Sequence, residues 1–171
     1  MSHLLVVGCG PQCSIQDGGR PGVGRMGLAF AGAMDQRALS CANALVGNRH
    51  DAPAVEMLFT GGRFRAVGGA MRVAIAGAPA SVTVDGRSRR HHCSIFLTAG
   101  EQLDIGRTKR GVYTMLAVAG GFDVPLVLGS CALDARAELG GLGGRTLAAG
   151  DHLHIAGAPA WRGPERRTPP V

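Results

Sequence analysis

Apolar residues recur along this chain in short runs separated by glycine-rich breaks. Leu4 to Val7 is an apolar run ended by Gly8, and Cys13 to Gln16 reads as a second extended piece. Beyond Pro53 the runs become regular: Val55–Phe59, Arg63–Val67, Met71–Ala76, Ser81–Val84, Cys93–Thr98, Gln102–Ile105 and Val112–Ala119. Gly61-Gly62, Gly68-Gly69 and Gly100 punctuate them, and Asp85-Gly86 is a strong hairpin signal. Turn signals about every ten residues predict a sandwich or barrel. His152–Ile155 predicts a last strand. One segment has helical periodicity: from Asp35 to Val46, Ala38, Cys41, Ala42 and Leu45 share a face, Asp35 suits the N-cap and Gly47 the left-handed stop. Between Ala119 and Gly150 the rhythm breaks into a long glycine-rich loop, with at most one helical turn near Leu133–Leu139. Long structured loops in compact domains are often functional. The expected organisation is one domain over residues 1–156 and a flexible Pro/Arg-rich tail over 157–171.

Composition sharpens this picture. The 28 glycines among 171 residues are about twice the usual share. Aromatics at 4% argue against a stacking platform for nucleic acid. The net charge of +6 is carried by arginine, Lys109 being the one lysine. Its groups at Arg87, Arg89 and Arg90 and at Arg162, Arg166 and Arg167 read as a solvated hairpin tip and tail rather than a nucleic-acid strip. The five cysteines at 9, 13, 41, 93 and 131 include no C-x-x-C pair, which predicts reduced packing thiols in the cytoplasm. The N-terminus lacks the basic region of a signal peptide, and no apolar run approaches ~20 residues, so no membrane partner is expected.

Several motifs carry candidate chemistry. Gly22 to Gly27 has the G-x-G-x-x-G spacing, but Asp-Gly-Gly-Arg-Pro separates it from any strand, which speaks against a dinucleotide site. Gly140-Gly141-Leu142-Gly143-Gly144-Arg145 suits either an anion cradle or a tight loop needing positive φ. His152 and His154 point to one side of a strand, yet no third ligand is identifiable and no metal is expected. Gln16, Asp17 and Arg20 bring a carboxamide, a carboxylate and a guanidinium within five residues. Together they can read a planar amide or carboxylate, or Asp17 and Arg20 can pair with each other.

Longer stretches resemble a known family. They are Ser14-Ile15-Gln16-Asp17-Gly18-Gly19-Arg20-Pro21-Gly22, Gly27, Gly32-Ala33-Met34-Asp35 and Leu45-Val46-Gly47-Asn48. Ala119-Gly120-Gly121-Phe122-Asp123-Val124-Pro125, Leu128-Gly129-Ser130, Gly140-Gly141 to Gly144-Arg145 and Gly150-Asp151 follow in order. The chain resembles the first half of the allophanate hydrolase subunit 2 family, which includes the C component of ATP-dependent 5-oxoprolinase, KipA-like proteins and the carboxyltransferase domain of urea carboxylase. Where that family carries a basic residue and Ser-Thr after Ser130, this chain has Cys131-Ala132-Leu133.

The resemblance implies a mostly β, cyclophilin-like closed barrel with one main helix and long Gly-rich loops. It implies a subunit of a 5-oxoprolinase, hydrolysing a lactam amide with ATP in the complex. Its partner subunit would have a related fold and correspond to the B component (allophanate hydrolase subunit 1 type). Asp17, Arg20 and Gln16 would be catalytic; Gly19, Gly22, Gly120, Gly121, Ser130, Gly141, Gly144 and Arg145 would bind substrate or anion. The alternatives are a carboxyltransferase or allophanate hydrolase-type subunit acting on urea or a related amide, with biotin on a partner chain, and a non-catalytic KipA-like regulatory module. A half-length chain leaves open whether it turns over substrate by itself.

Overall fold

The structure, a computed structural model, describes residues 2–157 and 163–167. Eleven strands alternate with turns: β1 His3–Cys9, β2 Ser14–Gln16, β3 Ala54–Leu58, β4 Gly62–Val67, β5 Met71–Gly77 and β6 Ala80–Val84. Then come β7 Arg87–Arg89, β8 Cys93–Leu97, β9 Gln102–Thr108, β10 Tyr113–Val118 and β11 His152–His154. The single α-helix, α1, is Gln36–Val46.

The strands form two antiparallel sheets, ordered β11-β1-β4-β9-β6-β7 and β2-β3-β10-β5-β8. Alternation decides which side chains enter the space between them. In β4, Phe64 and Ala66 are buried while Arg63 and Arg65 face water. Leu4, Val6, Phe64, Val82 and Leu103 from one sheet meet Ile15, Val55, Val73, Ile75, Ile95 and Leu116 from the other. The expected closed barrel is corrected on this point: the ladders do not join, and β11, β7, β2 and β8 remain the sheet edges among the described strands. Closure needs every edge strand paired; here the two sheets bury their inner faces against each other instead.

The second sheet is apolar on its outer face too, and α1 covers it. Ala38, Leu39, Ala42, Leu45 and Val46 pack on Ala54, Ala74, Ala76, Met115 and Ala117. Alanines across the sheet bring the helix close. Asp35 Oδ1 accepts the Ala38 N–H at 2.9 Å, and Gly47 closes the helix at φ 80°. The cap also fixes the preceding loop, where the Met34 N–H donates to Glu56 Oε2 and the Ala33 N–H to the Asp17 carbonyl.

Leu133–Leu139 is not helical but a tight turn closed by Asp134 and Leu139, with Asp134 Oδ1 accepting the N–H groups of Arg136 and Ala137. That local carboxylate competes successfully with helix formation. Of the expected flexible tail, 158–162 and 168–171 lie outside the described residues. Residues 163–167 run beside β8: the Ser94 N–H donates to the Arg166 carbonyl and the Arg166 N–H to Ser94 Oγ. The buried Arg72 donates to the Gly163 carbonyl.

Candidate functional site

Asp17 and Arg20 leave β2 in a bend and do not pair with each other. Both reach across more than one hundred residues to the 127–133 segment. Asp17 is buried and accepts four donors. Oδ1 takes the Gly19 N–H at 2.8 Å and Ser130 Oγ at 2.6 Å; Oδ2 takes the Cys131 N–H at 2.8 Å and the Cys131 thiol at 3.3 Å. Burial and the facing Asp17 carboxylate push the Cys131 thiol far up, so it stays protonated and donates.

Arg20 is fully buried. Its Nε donates to the Val127 carbonyl at 3.1 Å, and its Nη2 to the Ala132 carbonyl at 2.8 Å and the Ser130 carbonyl at 3.5 Å. Its own backbone N–H holds the Phe30 carbonyl at 2.7 Å. Nη1 has no partner. Gln16, also buried, donates from Nε2 to Ser14 Oγ and the Leu133 carbonyl, and its Oε1 is likewise unpaired. The two side chains that hold the Ala132 and Leu133 carbonyls thus each keep one unmatched polar atom. Buried polar groups are seldom left so.

The glycines decide how closely these segments approach. Gly140 has φ 72°, and a Cβ there would lie 2.1 Å from the Ala132 carbonyl oxygen and 3.0 Å from Arg20 Nη2. Gly144, φ 75°, abuts the Glu138 backbone in the same way. The Gly141 N–H donates to the Cys131 carbonyl and the Gly144 N–H to the Gly140 carbonyl. Gly19, φ 94°, lies under the Phe30 ring. The 16–20 bend and the 140s loop thus meet through Arg20 and the 127–133 segment. Two recesses are lined in part by the 127–130 turn. One, of about 670 Å³, is lined by Pro125, Val127, Leu139 and the 140–145 loop. The other, of about 390 Å³, is lined by Asp17, Gly19, Pro21, Gln36, His50 and Gly129.

Other candidates lie elsewhere or are already engaged. Gly120 and Gly121 sit at the end of β10, where the Gly120 N–H donates to Asn48 Oδ1 and the Gly120 backbone touches Gly157. Gly22 is a solvent-facing turn with nothing near its α-carbon. Arg145 forms a two-pronged ion pair with Asp151 at 2.7 and 2.8 Å, which holds the Asp151 carboxyl below the usual carboxylate range. His152 and His154 gain a neighbour in His3, whose Nε2 lies 2.9 Å from His152 Nδ1. Among the described residues, no three His, Cys, Asp or Glu side chains are arranged to hold a metal.

Sequence reasoning missed Glu56 and Cys131. A lone carboxylate between Val55 and Met57 in an apolar strand was the signal for the first. For the second, nothing local marks Cys131 as the partner of a residue 114 positions away.

This combination of fold and loop-clamped bend has relatives. Residues 26–170 match the family described as carboxyltransferase domain, subdomain A and B, and the chain belongs to that family. It is 38% identical over 160 residues to the C component of the 5-oxoprolinase of Escherichia coli, covering 89% of this chain and 49% of that protein. It is 36% identical over 147 residues to the urea amidolyase of Saccharomyces cerevisiae, covering 85% of this chain and 8% of that one. The solved structure of TTHA0988 superposes over 100% of this chain and 34% of its own, with a TM-score of 0.92 at 33% identity. The Kluyveromyces lactis urea amidolyase does so over 90% and 9%, at 0.86 and 32%. The chain thus spans about half the length of the 5-oxoprolinase components it matches.

Proposed function

We propose that this chain is a subunit of an ATP-dependent 5-oxoprolinase, opening the lactam of 5-oxoproline to glutamate in the cytoplasm together with a related-fold partner, the enzyme's B component. The observation that carries the reading is the 38% identity to a 5-oxoprolinase C component over nearly the whole of this chain. The geometry supports it. A lactam amide offers one carbonyl oxygen and one N–H on the same side, and the buried node offers one unmatched guanidinium N–H, from Arg20, and one unmatched oxygen, from Gln16. Movement of the 127–130 turn or of Gly140 would open the node to either recess. Arg20 would then stabilise charge developing on the amide oxygen, a donor role worth about 3–4 kcal/mol. Asp17 would hold the Ser130–Cys131 backbone in place.

ATP does not fit this chain's own loops. The Gly141 and Gly144 N–H groups already donate to the Cys131 and Gly140 carbonyls, Arg145 is committed to Asp151, and no phosphate-loop lysine exists. In this reading the partner carries the nucleotide. In the reconstituted complex, Arg20→Ala is expected to lower 5-oxoproline-dependent ATP hydrolysis at least tenfold, with assembly retained. An unchanged rate would remove Arg20 from the site.

The likeness to the urea amidolyases favours a second reading, carboxyl transfer to urea from biotin on a partner chain. The only lysine here, Lys109 in Arg107-Thr108-Lys109-Arg110, is not in a biotinyl-lysine motif, so the biotin would be the partner's. Co-purification with a biotinylated chain would select that reading. Ligand binding without turnover, alone and with the partner, would select a KipA-like regulatory module.

A further inference from the structure

The proposed function leaves the cysteines unused, and two of them are placed together. Cys9 ends β1, Cys13 opens onto β2, and Gly10-Pro11-Gln12 turns the chain between them, the Cys13 N–H donating to the Gly10 carbonyl at 3.2 Å. Both residues pack at the end of the core on either side of that turn, Cys13 fully buried and Cys9 half-buried. The same two residues grip one residue just beyond the 140s loop. The Cys9 thiol donates to the Leu147 carbonyl at 3.3 Å, and the Leu147 N–H donates to the Cys13 carbonyl at 2.8 Å.

We propose that Cys9 and Cys13 form a reversible oxidation site that takes a small-molecule disulfide such as oxidised glutathione. The Cys9 thiolate attacks one sulfur of that disulfide, forming a mixed disulfide and releasing one small thiol. The Cys13 thiol, after losing its proton, attacks Cys9 Sγ and releases the second. Two protein thiols and one small disulfide become one protein disulfide and two small thiols. Accessibility and acidity follow the same order. Cys9 is half-buried, and the neighbouring Cys13 thiol lowers its pKa; Cys13 is fully buried, and the Cys9 thiol together with burial raises its own. Cys93 and Cys131 are pushed up by burial.

Oxidation removes the S–H that Cys9 donates to Leu147 while the Cys13 backbone keeps its own bond. The segment leaving the 140s loop is thereby loosened on one side only.

The full-length chain, incubated with oxidised glutathione, then alkylated under denaturing conditions and mapped by mass spectrometry, tests this. The expected product has lost two hydrogens, carries no glutathione, and has Cys9 and Cys13 both protected from alkylation. Cys13→Ser is expected to trap one glutathione on Cys9. Cys9→Ser is expected to take up none at Cys13. Amide exchange in 146–149 is expected to rise on oxidation. Wild-type chain that keeps glutathione on Cys9 while Cys13 remains alkylatable, or that bridges only in denaturant, would overturn the site whatever the variants do. Unchanged exchange in 146–149 would overturn its link to the loop.

Discussion

Asp17 concentrates more of the site's geometry than any other side chain in the bend. It accepts two backbone N–H groups, a hydroxyl and a thiol, and its removal would strand at least two buried donors. Asp17→Ala is expected to cost about 3 kcal/mol, read as a fall in Tm of roughly 6–12 °C. Serine in place of Cys131, which preserves a donor toward Asp17, should cost far less. His91 gives a pH-dependent counterpart. Burial, with His92 beside it, lowers its pKa from 6.5 to about 4, and both ring nitrogens are buried without partners. The unfolded chain therefore takes up the proton first as pH falls. Stability from the neutral ring is intact above 6.5 and is lost on acidification toward 4. The urea midpoint should drop between pH 7 and pH 5, and His91→Leu should flatten that drop.

At the scale of elements, glycine tests how tightly the loops are built. Gly129 and Gly140 both have positive φ, 83° and 72°, but a Cβ meets nothing at Gly129 and the Ala132 carbonyl at Gly140. Gly129→Ala should cost about 1–2 kcal/mol of backbone strain, and Gly140→Ala distinctly more; paired denaturant midpoints read the difference. At the helix, Asp35→Ala should cost about 1 kcal/mol. Much of this level was legible in the chain. The short apolar runs between turn signals located ten of the strands, and Asp35 and Gly47 marked the ends of α1. The missed strand, β7, consists of Arg87-Ser88-Arg89, whose polarity hid it; the Asp85-Gly86 turn folds it onto β6. At 134–139 the loop forms a non-helical turn because Asp134 captures local amides, an effect that periodicity does not register.

At the scale of the molecule, the sheet pairing was not legible, because closing a barrel and stacking two sheets use the same strand pattern. The site was legible in part. Gln16, Asp17 and Arg20 stood out as a chemical group, but their partners lie more than one hundred residues away, and no local pattern shows such a contact. Nor did the spacing reveal that Arg145 would spend its charge on Asp151. What the fold does is bring the 16–20 bend, the 127–133 segment and the 140s loop to one buried node in which Arg20 Nη1 and Gln16 Oε1 have no partner, the two atoms that the proposed function assigns to an amide. A titration with 5-oxoproline in the assembled complex, followed through the backbone amides of this chain, tests that claim most directly. Shifts concentrated at Gly19, Cys131 to Leu133 and Gly140 to Gly144, abolished by Arg20→Ala, are the outcome expected here. Saturable binding that leaves those amides unmoved would contradict it.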